Sequence, residues 1–209
     1  APIRVSIAVN ADSLATWVLP ALAPLLEQHP IELNLLVDDE CRTLDRVREG
    51  QAFGAVSLHG QPLAGCCVDE LGEMHYLLTA SPAFVARHFP NGMTRAALAK
   101  APAVAFDQRD DMHVSFMARH FALAPGGYPC HTVRSSEAFV AMAEQGLAYC
   151  LIPELQIRQQ LAQGSLLDLS PQHHLVERLY WHRWVLERGL HKQISQRLID
   201  QGRHALHRG

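Results

Sequence analysis

No stretch of this chain approaches the roughly 18 consecutive apolar residues that a membrane-spanning helix needs, so no membrane partner is expected. No charged-then-apolar leader opens it either. Lys and Arg number 18 against 21 Asp and Glu, a net charge of −3, and the basic residues form no run. Phosphate neutralisation dominates nucleic-acid affinity, so a chain without a basic stripe is not by itself a nucleic-acid binder. Cysteine is scarce: Cys41, Cys66, Cys67, Cys130 and Cys150, with no C-x-x-C pair. That fits the reduced thiols of a cytoplasm better than a disulfide framework, and cytoplasmic is the expected localisation.

The motifs that announce chemistry are missing as well. G-x-S-x-G, G-x-G-x-x-G, the P-loop and H-E-x-x-H do not occur. Thirteen histidines invite a metal reading, but His204 and His207 stand on a terminal helix without further ligands, and His173-His174 falls in a loop. Cys130 and His131 are neighbours on a strand, so they point to opposite faces and cannot act as a dyad. No catalytic residue, metal ligand or cofactor is therefore expected. An enzyme survives only as a site assembled from scattered residues.

What is present is a large potential core. With 48% hydrophobic residues in 209, the chain suits one large domain or two lobes of roughly 100 residues each. Strand-like and helix-like segments alternate, which argues for α/β with largely parallel sheets. Ile3–Val9 reads as a strand, after which Asn10, Asp12 and Ser13 offer caps to a helix that Pro20 should kink. Ile31–Val37 alternates as a second strand, Asp39–Glu49 is a short helix closed by Gly50, and Ala55–Leu58 is a third strand. Met74–Ala80 and Ala103–Phe106 are further strands, Asp111–Phe121 is a helix, and Ser135–Gly146 is a helix with Ser at its cap and Glu137 in its first turn. Leu147–Ile152 is a buried strand, Leu179–Val185 another, and Leu190–Leu206 a long amphipathic helix. One lobe is expected from residues 1–78 plus 171–209 and an inserted lobe from 79–170, with a ligand cleft at the carboxyl ends of the strands.

Two stretches carry a resemblance. Leu19-Pro20-Ala21-Leu22-Ala23-Pro24-Leu25-Leu26, His29-Pro30-Ile31-Glu32-Leu33, Gly50 and Gly54-Ala55-Val56 form the first. The second is Ser135-Ser136-Glu137-Ala138-Phe139-Val140, Glu144-Gln145-Gly146-Leu147-Ala148 and Leu151-Ile152-Pro153. Together they resemble the effector domain of LysR-type transcription regulators, over the whole chain. Ala8–Trp17, the segment Phe106-Asp107-x-x-Asp110-Asp111-Met112-His113, and Tyr180-Trp181-His182-Arg183 are similar more narrowly to the ArgP/LysG subfamily. Gly54 departs from the broader pattern, where Asp is common, and agrees with the subfamily.

The resemblance implies two Rossmann-like α/β lobes with a hinge, of the type 2 periplasmic-binding-protein-like kind. It implies a domain that senses a small effector, L-lysine or L-arginine, and pairs as a homodimer or within a tetramer. DNA would be bound by an N-terminal winged helix-turn-helix that these residues do not include, with RNA polymerase as a further contact. Since Ala1 is not Met, the chain is expected to be part of a longer product. The alternative on the same scaffold is a solute-binding protein of an amino-acid transporter.

A basic amino acid presents a carboxylate, an α-ammonium and a distal cation. The carboxylate suits a helix N-terminus, and Asn10, Asp12 and Ser13 mark one while Ser135 and Ser136 mark another. The cations call for carboxylates, since an unpaired buried charge is costly. Asp12, Asp38, Asp39 and Glu40 follow strands in the first half, and Asp107, Asp110 and Asp111 in the second. Asp107, directly after a buried strand, leads that group, and Ser57 at the end of the third strand adds a hydroxyl. Each has a plainer role as a cap or a solvated loop charge.

Overall fold

The computed structural model describes residues 1–107 and 111–209. In chain order the elements are β1 (Ile3–Asn10), α1 (Ala11–Ser13), a π-helical turn (Leu14–Val18), α2 (Leu19–Gln28), β2 (Ile31–Asp38), α3 (Thr43–Arg48), β3 (Gly54–Ser57) and β4 (Cys66–Ala80). Next come α4 (Pro82–His88), α5 (Arg95–Leu98), β5 (Ala103–Ala105), α6 (Asp111–Phe121), β6 (Cys130–Thr132), α7 (Ser136–Glu144) and β7 (Cys150–Pro153). The chain ends with α8 (Glu154–Gln163), β8 (Leu167–Asp168), β9 (Leu175–Trp184) and α9 (Leu190–Ala205). Its contacts divide it into two compact units, Ala1–Met74 with Val176–Gly209, and His75–Leu175.

In the first unit the strands run β2-β1-β3-β9-β4. β1 pairs parallel with β2 from Ile3↔Ile31 to Asn10↔Asp38, and with β3 at Ile7↔Gly54 and Ala8↔Ala55. β9 returns antiparallel against β3, Gly54↔Arg183 to Ser57↔Tyr180. One sheet face packs Ala8, Leu36 and Ala55 against Leu44 and Val47 of α3. Val5, Ile7 and Val9 are also buried, so β1 is covered on both faces, as the apolar run Ile3–Val9 requires. α2 packs on α9, whose Ile194, Leu198 and Ile199 are buried. Gly202 of α9 lies against the Trp17 ring, where a β-carbon would come within 3.3 Å of Cζ3.

Pro20 does not interrupt the first helical run. The π-helical turn absorbs the register change before it, and Pro20 sits within the first two positions of α2, where its missing N–H costs least. Pro24 lies inside α2 and leaves the Pro20 carbonyl without an i+4 donor. Arg197 of α9 reaches that carbonyl at 3.5 Å and the Ala21 carbonyl at 2.9 Å.

In the second unit β7 and β8 pair antiparallel with the end of β4, at Tyr76↔Pro153 to Thr79↔Cys150 and at Thr79↔Asp168. β5 and β6 pair parallel, with a bridge from Ala103 to Tyr149. The core gathers Val104, Ala143, Ala148, Cys150, Ile152, Ile157 and Leu166, covered by Phe139 and Met142 of α7. Ser81, Thr94 and Ser135 cap α4, α5 and α7 through their hydroxyls, accepting from N–H groups three residues on.

Three expectations need correction. The sheets are mixed rather than largely parallel, because β9 and β4 return antiparallel. The helix expected at Asp39–Glu49 begins only at Thr43: Asp39 instead closes a turn, its carboxylate accepting from Cys41 N at 2.9 Å and its carbonyl from Arg42 N at 3.0 Å. β4 starts at Cys66, eight residues before the strand expected at Met74.

Candidate functional site

The parallel strands β2, β1 and β3 end together at Asp38, Asn10 and Ser57. Asn10 stands opposite Asp38 in register, and continuing the β1–β3 register by two residues brings Ser57 alongside. Residues paired across a sheet share a face, so the three side chains are neighbours. Because β9 runs the other way, its start, with Glu177, lies at this same end.

The helical run begins one residue after β1. Asn10 occupies the cap position with an extended backbone (φ −79°, ψ 153°), but its side chain makes no capping hydrogen bond. Asp12 and Ser13, expected as caps, lie inside the first turn instead; the helix starts at Ala11, too early for either to reach back. Asn10 is 1% exposed and both polar atoms of its amide lack a hydrogen-bond partner; the Ser13 hydroxyl is fully buried and also lacks one. Buried polar groups are normally satisfied, each orphan costing about 1–3 kcal/mol, so two at one helix start are a concentration of unmet hydrogen-bonding capacity.

The acids around this end differ sharply. Asp38 is buried and faces Arg42 at 3.5 Å and Arg46 at 3.2 Å. Asp39 also pairs with Arg42. Glu40 is just as buried, yet the charged side chains bearing on it are acids, Glu177 and Asp12. Burial first, then these neighbours, hold it well above the usual carboxylate range. The loop carrying Glu40 is pinned by Ser57, whose hydroxyl donates to the Glu40 carbonyl at 3.4 Å and accepts from His59 N at 3.1 Å. His182 Nε2–H in turn donates to the His59 carbonyl at 2.5 Å, and burial lowers the pKa of that ring. Ser57 is thus a brace for the loop in this arrangement.

In the second unit Asp107 follows β5 and is mostly buried, with Arg134 at 3.9 Å and that guanidinium over the Phe106 ring at 5.2 Å. Ser135 caps α7, accepting from Ala138 N at 3.2 Å, and Ser136 is buried in its first turn. Asp110 lies outside the described residues. Further inside, His113 is 2% exposed with neither ring nitrogen partnered. Its ring centroid is 5.7 Å from that of Tyr128 and 5.8 Å from that of Tyr149. Burial pushes His113 down to about 4 and Tyr128 up to about 12.

Of the residues singled out from sequence, the structure brings Asn10, Asp12, Ser13, Asp39 and Ser57 to one end of the first unit, and Asp107, Ser135 and Ser136 belong to the second. Glu177 was missed. Its signal is the alternation Leu175, Glu177, Leu179, Trp181, which puts it on the inward face of β9, continuing a strand expected only from Leu179. Among the described residues no group of three or more His, Cys, Asp or Glu is placed to hold a metal ion, and no helix is long and apolar enough to cross a membrane. The five cysteines are free thiols.

Residues 3–204 match the family model described as LysR substrate binding domain. The HTH-type transcriptional regulator ArgP of Aeromonas salmonicida is 92% identical over all 209 residues, which cover 70% of its length. The crystal structure of ArgP from Mycobacterium tuberculosis superposes with a TM-score of 0.86 at 37% identity, covering 100% of this chain and 70% of that one. Full-length LysG from Corynebacterium glutamicum with bound effector Arg gives a TM-score of 0.86 at 31% identity, covering 99% and 70%. The fold is that of LysR regulatory domains, periplasmic-binding-protein-like and mixed α/β.

Proposed function

We propose, from the premise that this chain belongs to the LysR substrate binding domain family, that it senses a basic amino acid, L-arginine or L-lysine, for a transcription regulator. The observation that carries the ligand class is the similar LysG chain with its effector Arg bound. The first unit supplies matching chemistry: a helix start bearing orphaned Asn10 and Ser13 for the carboxylate, and Asp12, Glu40 and Glu177 for cationic groups. Its relatives are transcription regulators, which disfavours a transporter's solute-binding protein and gives an enzyme no support.

In the whole regulator the effector acts by binding one conformational state better than another; only such differential affinity moves the equilibrium. The regulator pairs as a homodimer, or assembles further to a tetramer, and meets DNA through a helix-turn-helix outside these residues, with RNA polymerase as a further contact. Its compartment is the cytoplasm.

Calorimetric titration with L-arginine, L-lysine and L-leucine tests the ligand class. Binding of the basic pair alone supports it, and binding of none, or of leucine equally, overturns it. In the same titration Asp107→Asn and Ser135→Ala test the second unit's residues: affinity unchanged by both removes them from the site.

A further inference from the structure

The second unit holds a cavity of about 490 Å³, a volume typical of small-molecule sites. Much of its wall is apolar: Val85 and Phe89 of α4, Met93, Phe121 at the end of α6, Leu167 and Leu169. His120, Asp168 and His173 are the titratable groups in the lining. His120, from the last turn of α6, and His173, from the segment after β8, stack with ring centroids 4.3 Å apart and planes 21° from parallel. Among the described residues neither ring has a hydrogen-bond partner.

The position of His173 is built. The buried Ser170 donates its hydroxyl to the His173 carbonyl at 3.1 Å, and His173 N donates to the Ser170 carbonyl at 2.9 Å. Ser170 N donates to Asp168 Oδ1 at 3.1 Å, while Asp168 Oδ2 bonds His174 Nε2 at 2.7 Å. Leu169 N donates to the Leu78 carbonyl at 2.8 Å and ties this turn to β4. Asp168 is thereby engaged. The titratable groups of the lining with unused hydrogen-bonding capacity are the two stacked imidazoles.

We propose that this cavity is a second ligand site, which takes a small monocarboxylate with a hydrocarbon body and binds its carboxylate through His120 and His173. The apolar wall accepts the body, and the imidazoles supply donors and positive charge. Two stacked imidazoles repel each other when both are protonated, and an anion beside them relieves that repulsion. The charges around His120 agree. Arg119 on its own helix is positive, the carboxylate of Asp168 is bonded to His174, and α4 presents only Val85 and Phe89 to the cavity. Burial, then His173 and Arg119, lower the pKa of His120. The free ring is therefore neutral at pH 7, and it takes up one proton from solvent as the carboxylate arrives.

The test is calorimetric titration of the wild-type chain with octanoate, octan-1-ol and octylamine at pH 6, 7 and 8, where only the charge of the head group differs among the probes. Octanoate should bind at least about tenfold more tightly than the alcohol at pH 6, as a charge-assisted hydrogen bond allows, and the ammonium should bind more weakly still. Its Kd should rise with pH by up to about tenfold per unit, the limit for uptake of one proton. His120→Gln and His173→Gln should each weaken octanoate, flatten its pH dependence and leave the alcohol unchanged. Val85→Trp should fill the cavity and weaken both, with thermal melts reporting whether the variants fold. The comparison of the three probes needs no variant. Absence of octanoate binding, equal binding of the alcohol, or tightest binding of the ammonium overturns the inference. So does octanoate binding that neither histidine variant weakens. None of these outcomes touches the amino-acid reading, which rests on other residues and on a cationic ligand.

Discussion

Gly54 and Trp181 are fitted to each other across β3 and β9: a β-carbon on Gly54 would lie 2.5 Å from Cη2 of the Trp181 indole and 2.7 Å from the His182 carbonyl oxygen. Trp181 is fully buried, and its Nε1–H donates to Ser195 Oγ of α9 at 3.0 Å, which fixes the ring in place. Neither the ring nor the strand backbone has room to yield.

Gly54→Ala should therefore destabilise the chain by about 1–3 kcal/mol, as overpacking of a fixed core does. In a Trp181→Phe background the same change should cost less, because the shorter ring removes the clashing carbons while the His182 carbonyl remains. Urea denaturation of both singles and the double variant measures the coupling. Strict additivity would sink the claim that the two residues answer each other.

Ala122 follows α6 with φ +53°, a left-handed backbone that a non-glycine residue adopts at a cost. Its side chain is exposed, so nothing is lost by removing it. Ala122→Gly is expected to stabilise the protein by up to about 1 kcal/mol, against the usual penalty for adding glycine. A lower midpoint in thermal melting would show that the strain is not there.

His113 predicts how stability changes with acid. Its usual value is 6.5 and burial lowers it to about 4, so between these values the unfolded chain binds a proton that the folded chain refuses. Stability contributed by the neutral ring is present above pH 6.5 and is lost as pH falls toward 4, in total about 3 kcal/mol. His113→Phe should flatten this part of the pH profile, measured by denaturant unfolding at several pH values. An equally steep profile in the variant would assign the acid sensitivity elsewhere.

How much of this was legible in the sequence depends on where each element finds its stabilising partners. α6 at Asp111–Phe121 and the Ser135 cap were readable because their signals, helical periodicity and a hydroxyl three residues before an N–H, are local. Gly54 and Tyr180-Trp181 were both noticed as subfamily features, but only the fold shows that they touch. The first half of β4 was invisible because Asp69, Glu70 and Glu73 look like solvated loop charges. Their partners are on β9, with Glu73 bonded to Arg178 at 3.2 Å and Asp69 paired with Arg183, over a hundred residues away. The acids of the candidate site read alike in the sequence, because what separates them is the charge that the fold sets beside each. Asp39 looked as available as Glu40 until Arg42 was seen to engage it.

Glu40 supplies the last prediction, on the ligand-free protein. Its folded value is held above the usual 4.5, so it contributes most below that pH. As pH rises past 4.5 the unfolded chain releases the proton while the folded chain keeps it, and stability declines until Glu40 ionises in the fold too. Glu40→Gln replaces the protonated acid with an amide of similar shape that never has to ionise. The variant should melt higher than wild type at neutral pH, with the gap closing toward pH 4. A variant that melts lower than wild type at every pH would mean that the carboxyl of Glu40 is itself a structural group.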